Sequence, residues 1–204
     1  MSIASIQKIL KPTKYRAVDT SGNNNHGQIY SGRALEFDGV SDNLTFTTTA
    51  SLTVSTAVYW IKIPDFTSLQ QGFYGGGSGQ YISIEGISSE SDARGKVYWH
   101  TGSGGWLSGG IPLEPNTWYR IVHVFEANAS AGDYKVYVNG VEDTAGDFPA
   151  TAFGDNASGT FTGFGSFNNT QRFLNGAASD VQIWDSAWTQ SDVTFDYLNP
   201  ESLA

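Results

Sequence analysis

The sequence predicts an all-β fold: a two-sheet antiparallel sandwich with a short N-terminal arm and a short C-terminal helix. Three observations point to it. The 204-residue chain carries 24 Gly and only 15% charged residues, with 6 Trp, 10 Tyr and 12 Phe. Its apolar residues fall in short runs bounded by Gly, Asn, Asp and Ser clusters, the pattern of strands and turns. After residue 19 no convincing helical period appears until near the C-terminus. A length near 200 suits one such domain and buries a core without staples. Residues 1–18 read as an arm and residues 19–204 as the sandwich domain.

The elements follow in order. Ile3, Ile6, Ile9 and Leu10 stand at helical spacing before Pro12, a helix too short to be stable unless it packs on the body or on a partner. The run DTSGNNNHG (19–27) is turn chemistry, since Asp, Ser and Asn side chains compete for the backbone and Gly permits positive φ. Short strands are expected at ALEF (34–37) and LTF (44–46), joined by the oxygen-rich turn 38–43. TVSTAVYWIK (53–62) is β-branched and aromatic, YISIE (81–85) alternates apolar and polar, and KVYWH (96–100) reads as a further strand. WYRIVHVF (118–125) is apolar on both faces except at Arg120 and His123, which predicts a central strand, with His123 facing a polar neighbour. DYKVYVN (133–139) runs into Asn139-Gly140, a strong hairpin signal. Phe161, Phe164 and Phe167 mark a glycine-spaced strand region, and DVQIWD (180–185) closes the sheets. Thr189 with Asp192 forms a capping box, Trp188 and Val193 stand as the hydrophobic staple of a short helix, and Asn199-Pro200 ends it.

Composition excludes several functions. The absence of Cys rules out disulfides and thiolate metal sites. No apolar run approaches the roughly 20 residues that cross a bilayer, so no membrane insertion is expected. MSIASIQKILKPTKYR has no continuous apolar core, so no secretory leader is expected either. A net charge of −9 argues against nucleic acid as a partner. That charge is split: residues 1–18 carry Lys8, Lys11, Lys14 and Arg16 without an acid, and the rest carries −13. A basic arm on an acidic body suits docking to an acidic surface, its own oligomer included, although a solvated chain end would read the same.

The runs DTSGNNNHGQI and GRALEFDGVSDNLTF, the pair NTWYRIVHVF and DYKVYVNGVED, and the closing GAASDVQIW with WTQSDV resemble laminin-G-like, concanavalin A-like jelly-roll domains over residues 19–197. The opening segment also resembles virion proteins of tailed bacteriophages. That resemblance implies a non-enzymatic virion surface protein, on head or tail. Ile3, Ile6, Lys8, Lys11, Lys14 and Arg16 would then dock on capsid or tail proteins, the protein would be a homo-oligomer, and the sandwich would be exposed to host-surface carbohydrate. The alternative is an extracellular carbohydrate-binding or adhesion module of a bacterial surface protein.

Candidate chemistry is of three kinds. Calcium takes six to eight oxygen ligands. The 19–25 loop supplies them, Asp38 and Asp42 add more, and the resemblance brings Asp180 alongside. Asp19, Asn23, Asn25 and Asp180 are therefore the expected ligands of a structural Ca²⁺, against the plainer reading that they make Asx-turns. Sugar binding calls for aromatic platforms with polar neighbours. Tyr74 and Tyr81 around GGGSG, and Trp99, His100 and Trp106 around TGSGGW, are the candidates, in loops at a sheet rim. Trp106 is the best exposed candidate, while Trp60, Trp118 and Trp184 are expected in the core. Catalysis is not expected. Glycosidases need a close carboxylate pair, whereas Glu85 stands alone, Glu142 and Asp143 follow a hairpin tip, and the three histidines are scattered.

Overall fold

A computed structural model describes residues 15–17, 27–29, 34–52, 54–67, 71–75, 80–84, 95–101, 106–126, 134–147, 159–167 and 170–199. It contains strands β1 (Tyr15–Ala17), β2 (Gly27–Ile29), β3 (Leu35–Asp38), β4 (Leu44–Leu52), β5 (Val54–Lys62), β6 (Gln71–Gly75), β7 (Gln80–Ile84) and β8 (Val97–Thr101). These are followed by β9 (Trp106–Ser108), β10 (Trp118–Glu126), β11 (Tyr134–Val138), β12 (Val141–Glu142), β13 (Gly159–Phe164), β14 (Asn175–Trp184) and helix α1 (Gln190–Leu198). Two six-stranded sheets result: a first in the order β12-β11-β10-β5-β14-β3 and a second in the order β4-β13-β6-β7-β8-β9. All pairings are antiparallel, and β1 pairs with β2 apart from both sheets.

The predicted sandwich is therefore the observed architecture. β10 lies inside the first sheet, paired with β5 along nine residues and with β11 on its other side. Its alternation explains why both faces are apolar. Ile121 and Phe125 join the core between the sheets, with Ala57, Tyr59 and Ile61 of β5 and Ile82, Ile84, Val97, Trp99 and Phe164 of the second sheet. Val122 and Val124 point the other way, into a second cluster with Val58, Tyr137, Trp188 and Val193. The first sheet is thus buried on both faces, by the second sheet and by α1.

Two local predictions hold in detail. Asn139 (φ 51°) and Gly140 (φ 82°) make the β11–β12 turn, with Val138 opposite Val141. Both central residues are left-handed, as a two-residue hairpin of matching twist requires. At α1, Thr189 accepts from the Asp192 N–H, and the Asp192 carboxylate accepts from the Thr189 N–H at 2.8 Å. Trp188 and Val193 are both buried in the second cluster. Removing Val193 from water contributes about 1.5–3 kcal/mol, which anchors a helix too short to stand alone.

The boundaries differ from the sequence reading in several places. The glycine-flanked regions expected as loops contribute strands β6 and β9. β14 starts at Asn175, five residues before the expected Asp180. Arg16, assigned to the arm, lies in β1 opposite Gln28. Trp118, expected in the core, is 37% exposed, with the Lys62 ammonium over its ring. As the first residue of β10 it stands on the outer face, beyond the cover of α1. No described helix is long and apolar enough to cross a membrane.

Candidate functional site

The expected aromatic residues belong to paired strands of the second sheet, and register sorts them. β7 and β8 pair Tyr81 with His100 and Ile82 with Trp99. β8 and β9 pair His100 with Trp106 and Trp99 with Leu107. Tyr81, His100 and Trp106 therefore form one cross-strand row, although far apart in sequence. The adjacent row runs Tyr74, Ile82, Trp99 and Leu107, with a register irregularity between Gly72 and Tyr74. Successive strand residues face opposite sides, and this second row is the core row. Trp99 is 3% exposed, its ring 4.4 Å from that of Tyr134 and edge-on to Phe125. Trp99 is thus a core residue, not a ligand platform, because the register of β8 turns it between the sheets. Tyr74 shares its row.

The two buried polar residues of β10 serve the fold. His123 lies in the core with Nε2 2.8 Å from the Tyr59 hydroxyl and Nδ1 2.7 Å from the Tyr134 hydroxyl. One hydroxyl donates to the ring and the other accepts from it, so a neutral imidazole satisfies both contacts. Burial pushes its pKa from 6.5 down to about 3. Arg120, on the opposite face, is fully buried. Its Nε and Nη2 donate to the two Asp196 carboxylate oxygens at 2.7 and 2.8 Å. Its Nη1 lies 2.9 Å from the Asp180 carboxylate and donates to the Asp180 carbonyl at 3.2 Å. A bulge in β14 between Ser179 and Gln182, with Asp180 at φ 49°, aims that residue at the guanidinium.

This geometry bears on the expected calcium ligands. The Asp180 carboxylate also accepts from Gln182 at 2.7 Å and is held beside a cation, Arg120, which would repel a second cation. Asp180 is therefore a partner of Arg120. Asp19, Asn23 and Asn25 lie outside the described residues, as do Ile3, Ile6, Lys8, Lys11, Lys14 and Glu85. Asp38 is occupied in its own turn: Oδ1 accepts from the N–H groups of Val40, Ser41 and Asp42. Those bonds lower its pKa to about 2. Among the described residues no group of three or more His, Asp or Glu is placed to hold a metal.

The sequence reading missed Asp196, Asp143 and Asp147. Asp196 had a legible signal, an acid three residues after the buried Val193 on one helical face, in a chain whose central strand carries an unpaired Arg. Asp143 and Asp147 had none, because their partners are mainly backbone N–H groups of residues 108–111, more than thirty positions away.

With the sandwich and its rows in place, the family follows. The profile of the concanavalin A-like lectin/glucanases superfamily, in its laminin-G form, matches residues 18–194. The chain belongs to this superfamily. The solved structures that resemble this concanavalin A-like domain share its fold at low identity. A heptameric SAP-like pentraxin from Limulus polyphemus is 20% identical, with 79% of this chain and 80% of that one covered at a TM-score of 0.57. A candidate carbohydrate binding protein from Bacteroides ovatus is 19% identical, at a TM-score of 0.53, over 87% of this chain and 52% of the other. The CBM40 domain of the Ruminococcus gnavus IT-sialidase, bound to α2,3-sialyllactose, is 14% identical, at a TM-score of 0.52, over 79% and 96%. No curated protein sequence matches the chain significantly.

Proposed function

We propose that this concanavalin A-like domain is a non-catalytic carbohydrate-binding module that receives its sugar along the Tyr81–His100–Trp106 row. The observation that carries the reading is the register: three residues suited to sugar recognition lie opposite one another on three adjacent strands. Aromatic rings provide apolar faces for pyranose C–H groups, and an imidazole provides polar contacts to hydroxyls. The names of the Bacteroides and Ruminococcus structures agree with this use of the fold. A binding role fits the carboxylates as well. Asp38, Asp143, Asp180, Asp192 and Asp196 are engaged in turns, caps and ion pairs rather than as a catalytic couple. The test is an immobilised oligosaccharide array that includes α2,3-sialyllactose. The full chain binds at least one member, and Trp106→Ala weakens that binding about tenfold or more, as loss of an aromatic anchor does. An array with no bound member contradicts the reading.

The resemblance of the opening segment to tailed-bacteriophage virion proteins supports a finer placement on a virion surface, and the split between the basic first 18 residues and the acidic remainder suits an arm docked on capsid or tail protein. Deletion of residues 1–14 then abolishes co-sedimentation with virions and leaves the melting temperature of the sandwich unchanged. Retained co-sedimentation contradicts that placement.

A further inference from the structure

β9 has three residues and stands at the edge of the second sheet, paired with β8 alone. So short a strand cannot fix its own register, and a slip of one residue would exchange the faces of Trp106 and Leu107. Beyond its pairing with β8, it is held from the other sheet. After β12 the chain crosses over, and its segment 143–147 lies against residues 108–111. The Asp147 Oδ2 accepts from the Ser108 N–H at 2.8 Å and from its hydroxyl at 3.4 Å, and the Asp147 N–H donates to the Ser108 carbonyl at 2.8 Å. Asp143 is fully buried. Both of its carboxylate oxygens accept from the Gly110 N–H at 3.0 Å; Oδ2 also accepts from the Ile111 N–H at 3.1 Å and Oδ1 from the Ala145 N–H at 3.3 Å. Its own N–H donates to Val136 of β11 at 2.8 Å. The two segments approach so closely that a Cβ on Gly146 would run into the Ser108 carbonyl. Among the described residues, the hydrogen-bond partners of the buried Asp143 carboxylate are backbone amides, which tie it to the position of that backbone.

We infer that Asp143 and Asp147 form a clasp from the first sheet that sets the register of β9, making them positioning residues for Trp106 opposite His100. The inference rests on the carbohydrate reading above for its functional consequence, and on the clasp geometry for its structural one. Ser108 is two residues from Trp106, so the anchor and the platform share one short strand. Releasing the anchor frees the strand to slip while the core beneath, built on Trp99 and Ile82, stays packed.

The test uses the full chain with Asp147→Ala, which removes an exposed side chain and leaves Asp143 in place. Thr189→Ala is the control, a cap variant at the far helix. Amide hydrogen exchange and the oligosaccharide array with α2,3-sialyllactose are read side by side. In Asp147→Ala, β9 amides exchange about tenfold faster and array binding falls about tenfold, at a melting temperature no lower than that of Thr189→Ala. Thr189→Ala keeps wild-type β9 exchange and wild-type binding. Unchanged β9 exchange in Asp147→Ala overturns the clasp, whatever the sugar result. Faster exchange with undiminished binding overturns its positioning role. A wild-type chain that binds no sugar overturns the carbohydrate reading instead, and β9 exchange alone then judges the clasp.

Discussion

Arg120 and His123 lie three residues apart on one strand and face opposite sides of one sheet, and both are fully buried. The protein handles them differently. Toward the second sheet, where the neighbours are aromatic, His123 is kept neutral and hydrogen-bonded at both nitrogens by tyrosines. Toward α1, Arg120 keeps its charge and meets two carboxylates, one on the helix and one on a bulged strand. A group that can lose its proton is neutralised in the core. A group that cannot is given a bidentate acid, since a buried guanidinium without one would be prohibitively costly. The polar positions of a central strand thus mark what packs on each face.

The largest effect should come from breaking the charged side. Arg120→Ala leaves Asp196 buried without its cation and is expected to cost about 3–5 kcal/mol by urea denaturation. The double variant Arg120→Met with Asp196→Leu is expected to recover most of that loss, because an apolar pair of similar volume often replaces a buried ion pair at little cost. A double variant as unstable as the single would mean that Asp180 and the Trp60 ring, 5.7 Å from the guanidinium, carry more of the contact than the bidentate bond does.

The neutral side gives a pH-dependent effect, absent at neutral pH and approaching the size of the charged one only in acid. His123 titrates near 6.5 when unfolded and at about 3 when folded, so below pH 6.5 the unfolded chain takes up a proton that the folded chain refuses. Stability is therefore flat with respect to this group above pH 6.5, and falls by about 1.4 kcal/mol per pH unit as the pH drops from 6.5 toward 3. Asp38, Asp65 and Asp192 have pKa values lowered by hydrogen bonds from 3.8, so their contributions are lost only at lower pH, as it falls through their folded values. Urea midpoints between pH 7 and pH 4 isolate the histidine. A midpoint unchanged over that range would mean that the imidazole is reached by water in the native state.

The smallest effect belongs to the helix that covers Arg120. Thr189→Ala removes the capping box and is expected to cost about 1 kcal/mol. A cost as large as that of Arg120→Ala would mean that the cap, not the ion pair, holds the helix to the sheet.

Local chemistry was legible in the sequence, and non-local register was not. Thr189 with Asp192, and Asn139 with Gly140, carry their partners within a few residues, and each was found where its motif placed it. The central position of β10 followed from apolar residues on both faces. Trp99 and Trp106 show the limit. Both stand near glycine runs, and only the pairing of β7, β8 and β9 sends one into the core and places the other in the row with His100. The clasp residues Asp143 and Asp147 bind backbone amides across the sandwich, which no side-chain pattern announces. The pairing of Asp180 with Arg120 was equally hidden, because a bulge in β14 aims it at a residue sixty positions away.

The most direct test of the central claim is to follow the backbone amide NMR signals of the full chain while adding an array-selected oligosaccharide, with α2,3-sialyllactose as the first tried. Saturable shifts are expected to centre on residues 81, 100 and 106, with those of Trp60 and Trp118 on the opposite sheet unmoved. Shifts centred on the first sheet or on the 19–25 loop, with residues 81, 100 and 106 unmoved, would contradict it.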